Sequence, residues 1–354
     1  MKKIVTIVGA RPQFIKTALL SWELRKHFKE VVVHTGQHYD LNMSDVFYQD
    51  LNLPKVDYNL EVGSDSHGKQ TALMLEKIEL VLIKEKPDLV LIYGDTNSTV
   101  AGALAASKLH IPVGHIEAGM RSFNRRMPEE INRVISDHLS TLLFCTSKSV
   151  IKLLRNEGIT KGVFIVGDVM NDLQKKVSSI KYQVSSMEQL SLKSKEYILA
   201  TIHRQENTDN KENLIKILKA FGQINDTIVW PIHPRTKKYI EKFKLKFSSN
   251  IKIIDPVGYK DMIILESNAK MILTDSGGVQ KEAYIARVPC ITLRNETEWT
   301  ETVESGWNQL VGTDIEKILE LVKNFPKPKN HPNFLGQGDA YLKIVKIIES
   351  FLLL

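Results

Sequence analysis

Short apolar runs rich in β-branched residues recur at regular intervals along the chain. In the first half they read "KIVTIVGA", "VVVHTG", "DLVLIYGD", "IPVGHIEAG", "TLLFCTS" and "GVFIVGD". In the second half they read "YILATIH", "TIVWPIH", "IKIIDPV", "AKMILTD", "PCITLRN" and "NQLVGTD". Helical patterns such as "TALMLEKIELVLIKEK" and "ENLIKILKAFGQI" fall between them. Strands alternating with helices build βαβ units, and near-continuous apolar strands are buried on both faces. The expectation is an α/β chain with two doubly wound, Rossmann-like parallel sheets of six strands each. Nearly every run ends in residues able to bind or transform a ligand: Arg11, His34, Gln37, His38, Asp95, Glu117, then His203, His233, Asp275 and Arg294. Ligands of open α/β sheets bind at the carboxyl ends of the strands, so these residues are expected around a central cleft between facing domains.

The length of 354 residues suits two domains. Their expected extents are 1–172 and 195–338, with a polar linker region 173–194 and a terminal helix 339–354 free to pack on either domain. With 25% charged and 43% hydrophobic residues the profile is that of a soluble globular chain. Apolar runs fall well short of the roughly 20 residues needed to span a bilayer, so no membrane role is expected. The opening "MKKIVTIVGARP" is too short in its apolar part for a signal peptide and reads as a first strand in a cytoplasmic protein. Cys145 and Cys290 each lie beside an apolar run and read as buried free thiols. The net charge of +7 is largely scattered lysine with little aromatic interleaving, which favours an anionic metabolite over nucleic acid.

Six motifs carry candidate chemistry. In "LTDSGGVQKEA", Ser276, Gly277 and Gly278 pass from strand to helix, where exposed N–H groups and the helix dipole suit a phosphate. Glu282, one turn on, could accept two hydrogen bonds from a ribose diol; a tight turn with an Asp or Ser cap explains the same residues, and the spacing leaves both readings open. In "GARPQFIK", Arg11 stands at the start of a helix that Pro12 can open, with Lys16 five residues on. "TIHRQEN" and "PIHPRT" end two strands with His203 and His233, and Arg235 follows the second. "YGDTNSTVAGALAA" ends a strand in Asp95. "GHIEAGMRSFNRRMPEEINR" delivers Glu117 and then Glu129 into an arginine-rich segment. Three acids on two consecutive βα loops suit proton transfer, or each is paired with an arginine for structure. No histidine and carboxylate spacing matches a metal site.

Together these motifs resemble the non-hydrolysing UDP-N-acetylglucosamine 2-epimerase family. The match runs through "GARPQFIK", "TGQHYD", "GDTNSTVAGALAA", "HIEAGMRS", "MPEEINR", "HRQEN", "HPRT" and "TDSGGVQKEA", and covers almost the whole chain in order. The resemblance implies the glycosyltransferase-B-like fold, a homodimer, no nicotinamide and no metal. It places the chain in nucleotide-sugar metabolism and polysaccharide biosynthesis. It also implies elimination and re-addition of UDP, with a base taking the proton on carbon 2 of the sugar. On that footing Asp95, Glu117 and Glu129 are catalytic acids and His203 a further catalytic or phosphate-binding group. Arg11, Lys16, His233, Arg235, Ser276, Gly277, Gly278 and Glu282 would bind the UDP-sugar.

Two departures qualify the resemblance. Many family members read Thr-Glu-Arg-Pro-Glu where this chain has "TEWTE", which looks like a branch acting on UDP-2,3-diacetamido-2,3-dideoxyglucuronic acid. Arg125 and Arg126 could pair a sugar carboxylate in such a substrate. Gln37 and His38 belong to a region that binds a second UDP-sugar in some members, but "YDLNMSD" after them differs from the regulated pattern. The default substrate is UDP-N-acetylglucosamine, converted to UDP-N-acetylmannosamine. The alternatives are the diacetamido uronate, a glycosyltransferase of the same fold, and a UDP-sugar-binding regulator. The three acids argue against the last, since binding a diphosphate gains nothing from added negative charge.

Overall fold

The computed structural model describes residues 1–37, 53, 55–179, 185–328 and 330–353. His38 and the "YDLNMSD" segment lie outside the described residues. The chain divides into two compact units, Met1–Lys176 with Asn333–Leu354, and Val177–Pro332.

The first unit holds β1 (Lys3–Val8), β2 (Lys29–His34), β3 (Tyr58–Asn59), β4 (Leu89–Tyr93), β5 (Val113–Ala118), β6 (Leu142–Cys145) and β7 (Val163–Ile165). They form a seven-stranded sheet in the order β3-β2-β1-β4-β5-β6-β7, and every pairing is parallel. The sequence reading expects six strands here. The seventh, β3, is two residues long and follows no apolar run, so periodicity does not reveal it. The second unit holds β8 (Tyr197–Thr201), β9 (Thr227–Pro231), β10 (Ile251–Ile254), β11 (Met271–Thr274), β12 (Cys290–Thr292) and β13 (Asn308–Leu310). Its six-stranded sheet runs β10-β9-β8-β11-β12-β13, again parallel throughout.

Each sheet is sandwiched between two apolar layers, which is why its strands carry so few polar side chains. In the first unit one layer gathers Leu20, Leu24, Leu89, Leu91 and Phe144, and the other Ile7, Val33, Ile78, Val90 and Ile92. The helix Ala340–Leu353 joins the first of these layers through Ile344, Val345 and Ile348. Truncating one such fully buried isoleucine to alanine costs about 2–5 kcal/mol. The returning segment is fixed by hydrogen bonds: Asp168 N–H donates to the Leu335 carbonyl at 2.8 Å, and Tyr341 N–H donates to the Asp172 carboxylate at 2.9 Å.

Both sheets reverse their strand order at one place, between β1 and β4 and between β8 and β11. A crevice opens at such a switch point because the flanking connections leave toward opposite faces. The sequence shows which strands end in polar residues but not which strands adjoin. The topology places Arg11 and Lys16 beside Asp95 at one switch point, and His203 beside Ser276 at the other.

Candidate active site

At the first switch point side-chain hydrogen bonds pin the turns. Arg11 opens the helix Arg11–His27, with Pro12 in its first turn. The Gln13 side chain accepts from the N–H groups of Gly9 (2.7 Å) and Ala10 (3.0 Å), and donates to the Tyr93 carbonyl at 2.7 Å. It thereby ties the turn after β1 to the turn after β4. A Cβ on Gly9 would lie 2.1 Å from both Ser98 Oγ and Thr35 Oγ1, so the close approach of those two turns requires glycine. Gln37 joins the same cluster, its side-chain oxygen accepting from Ser98 N–H at 3.1 Å and Ser98 Oγ at 2.7 Å.

Glu117 sits where β5 breaks register between Ile116 and Ala118, with φ at 70°. A left-handed glutamate costs of order 1–3 kcal/mol, a cost usually retained where it aims a functional side chain. Lys16, itself buried, donates to the Glu117 carboxylate. Both groups lie against Gly94, where an added Cβ would be 3.2 Å from Lys16 Nζ and 3.6 Å from Glu117 Oε2. Asp95 follows directly, its carboxylate accepting from Arg133 at 2.5 Å. Asn132 donates to the Asp95 carbonyl at 3.0 Å. The structure therefore brings half-buried Glu117 and buried Lys16 together against Gly94, with half-buried Asp95 the next residue in the chain.

Glu129 and Glu130 open the helix Pro128–Leu139 and play different parts. Glu130 is buried and accepts from Ser122 N–H, Phe123 N–H and Arg133, each at 2.9 Å, which folds the loop over the helix start. Glu129 is half-buried on the neighbouring position. Of the four arginines in this segment, Arg121 and Arg133 are buried in ion pairs, whereas Arg125 and Arg126 are exposed.

The second switch point carries different groups. Asp275, at the end of β11, accepts from His203 N–H at 3.0 Å, Arg204 N–H at 3.1 Å and Asn207 Nδ2 at 3.0 Å. It shapes the turn that presents His203. The imidazoles of His203 and His233 lie 5.7 Å apart between ring centres, so two histidines remote in sequence become neighbours. His233 Nδ1 accepts from Arg235 N–H at 3.1 Å, leaving the ring proton on Nε2 when the group is neutral. The Arg235 guanidinium reaches Asp209 at 2.6 Å and 2.8 Å.

Ser276 caps the helix Gly277–Ile285 through Val279 N–H, so the capping reading of this motif holds. The same geometry leaves Gly278 exposed with open space beside it, Ser276 Oγ at 3.8 Å being the nearest atom to a Cβ there. Gly277 is tighter: a Cβ would lie 2.1 Å from the Glu298 carboxylate, which Arg294 holds at 3.2 Å. Glu298 belongs to "TEWTE", and that loop is tied down by Thr297 Oγ1 donating to Gln280 at 2.6 Å. Trp299 covers the buried Lys281 ammonium, 4.6 Å from its ring centre. Glu282 is buried on the same helix.

Both cysteines are buried free thiols whose pKa burial pushes up to about 12, so neither is a nucleophile near neutrality. Among the described residues no cluster of metal-ligating side chains occurs, and no helix is long and apolar enough to cross a membrane.

The chain's relatives agree with one another. The profile of the UDP-N-acetylglucosamine 2-epimerase family matches residues 22–349. A UDP-N-acetylglucosamine 2-epimerase homolog of Methanococcus maripaludis is 56% identical over 98% of this chain and 99% of its own length. The UDP-2,3-diacetamido-2,3-dideoxy-D-glucuronate 2-epimerase of Pseudomonas aeruginosa is 49% identical over 91% of each chain. The crystal structure of Methanocaldococcus jannaschii UDP-GlcNAc 2-epimerase, in complex with UDP-GlcNAc and UDP, superimposes with a TM-score of 0.92 at 46% identity, covering 99% of this chain and 100% of that one. With its two switch-point sheets and a family profile spanning nearly its whole length, the chain belongs to the UDP-N-acetylglucosamine 2-epimerase family.

Proposed function

We propose that this protein is a 2-epimerase that interconverts UDP-N-acetylglucosamine and UDP-N-acetylmannosamine. The observation that carries the reading is the meeting of Glu117 and Lys16 on Gly94, the residue before Asp95, at the switch point of the first sheet. A carboxylate there takes the proton from carbon 2 while the bond from carbon 1 to UDP breaks, leaving a glycal and bound UDP. UDP then adds back to carbon 1 as carbon 2 takes a proton on the other face. Asp95, Glu117 and Glu129 serve as the acid/base groups, and Lys16 and Arg133 hold two of them in place before substrate binds. Groups held in position in this way contribute typically 10²–10⁴-fold to a proton transfer.

The second unit supplies the nucleotide groups. Ser276, Gly277 and Gly278 at the start of a helix suit the diphosphate, and Glu282 the ribose. His203, beside His233, meets the departing phosphate. Arg235 reaches substrate only by giving up Asp209. No cofactor is required for this chemistry. The protein acts in the cytoplasm, which its two free thiols suit. It self-associates through the exposed Leu80, Ile83, Ile131 and Ile135 of two helices on the first unit.

The test is incubation with UDP-N-acetylglucosamine in heavy water, followed by NMR. The proposal expects both epimers with deuterium at carbon 2; transfer of the sugar to an acceptor, or epimer formation without exchange, refutes it. A second reading keeps the reaction and changes the sugar to the diacetamido uronate. It is favoured by the exposure of Arg125 and Arg126 beside the acids and by the Pseudomonas relative. Loss of uronate turnover in Arg125→Ala or Arg126→Ala, with UDP-N-acetylglucosamine turnover near background throughout, would establish it.

A further inference from the structure

Behind the acid-bearing loops lies a buried charged cluster that substrate chemistry does not use. Asp137 and His115 both have fully buried side chains. His115 Nδ1 lies 2.7 Å from Asp137 Oδ1, and His115 Nε2 lies 2.7 Å from the Gly94 carbonyl. The other oxygen of Asp137 accepts from Gly119 N–H at 3.1 Å and from Arg121 at 2.6 Å. Arg121 continues to Glu157 at 2.7 Å and 2.8 Å.

We infer that Asp137 and His115 form the positioning element that holds the Glu117 loop and the Asp95 loop in one fixed geometry. Two observations carry this. First, both ring nitrogens of His115 are engaged, one by the Asp137 carboxylate and the other by the Gly94 carbonyl, so the ring ties the helix Pro128–Leu139 to the turn before Asp95. Second, the contacts bracket the functional groups. His115 precedes Glu117 by two residues, Gly119 follows it by two, and Gly94 is the neighbour of Asp95. The left-handed conformations of Glu117 (φ 70°) and Gly119 (φ 84°) are thus clamped from both sides by one carboxylate.

The inference rests on the reading of Asp95 and Glu117 as the catalytic acids; Asp137 and His115 act through them and do not touch substrate. The test is made on the intact enzyme, with thermal unfolding of each variant measured to establish that it folds. In steady-state kinetics Asp137→Asn and His115→Gln should lower kcat about 10- to 100-fold, the scale of a small misplacement of a reacting group, with KM and UDP affinity within about threefold of wild type. Unchanged kcat, or an equal loss of kcat and UDP affinity, overturns the positioning role. Asp95→Asn and Glu117→Gln are measured alongside. Inactivity in those two with full activity in Asp137→Asn refutes this inference alone, whereas activity in all refutes the catalytic reading.

Discussion

The two units build the same sheet and equip it differently. Both place their first and fourth strands side by side at the reversal of strand order, and both present a polar residue at each strand end there. The first unit arms its strand ends with carboxylates and pairs them with buried cations, Lys16 on Glu117 and Arg133 on Asp95, while Arg121 holds the helical Asp137. The second unit presents imidazoles and an open glycine turn, and spends its strand-end carboxylate, Asp275, on backbone N–H groups. One fold thus yields a half that pairs its carboxylates with cations and a half that leaves a glycine turn open at a helix start. The difference lies in loops of a few residues, since the sheets share strand order and direction over six strands, the first adding only β7 at its edge.

The sharpest way to break that division is to remove the acids. Asp95→Asn, Glu117→Gln and Glu129→Gln should each lower kcat by about 10²-fold or more, measured by the appearance of the second epimer. If all three variants turn over near normally, the first unit is not the acid/base half.

The glycine turn comes next. Gly278 has open space where a side chain would go, so Gly278→Val should fold and melt like wild type while obstructing the approach of phosphate to the helix start. UDP affinity by calorimetry should fall at least about tenfold, the weight of a lost group of charge-assisted hydrogen bonds. Undiminished affinity would mean that the second unit's glycines serve only the turn.

A smaller effect separates the stability of the first unit from that of the second. Burial pushes the Asp172 carboxyl up to about 7, the nearby Asp168 and Asp339 adding to the effect and the Tyr341 N–H opposing it. Its folded pKa lies above the ordinary 3.8, so the folded chain binds more protons than the unfolded one between those values. The stabilisation is complete below about pH 4 and is lost as the pH rises through about 7. Thermal unfolding of wild type should therefore lose stability across that window relative to Asp172→Asn, and parallel curves would contradict the assignment. The smallest change is expected from Arg235→Ala. Its half-exposed pair with Asp209 is worth about 1 kcal/mol or less, so Tm should barely move and UDP affinity should change less than about fivefold.

Much of this was legible in the sequence, for a physical reason. Strands buried on both faces must be apolar along their whole length, so β1, β4, β8 and β11 announce themselves, as does the helix start marked by Pro12. The two-residue β3 has no room for a pattern. Strand ends also revealed Asp95, Glu117, His203 and Ser276. Their supports stayed hidden, because Arg133 on Asp95, Gln13 on Tyr93 and Asp137 on His115 are contacts made between different elements, which no motif spacing encodes. Glu129 and Glu130 are adjacent and chemically alike; only the fold shows Glu130 folded into the Ser122 loop. The left-handed backbone of Glu117 has no sequence mark at all, since glutamate is not a residue that favours it.

The central claim is that proton transfer and nucleotide binding reside in different units. It is tested most directly on a single variant, Asp95→Asn, in which UDP affinity by calorimetry and deuterium incorporation at carbon 2 of UDP-N-acetylglucosamine in heavy water are measured on the same preparation. The account predicts wild-type UDP affinity with exchange slowed by about 10²-fold or more. Wild-type exchange, or loss of UDP binding together with exchange, would contradict it.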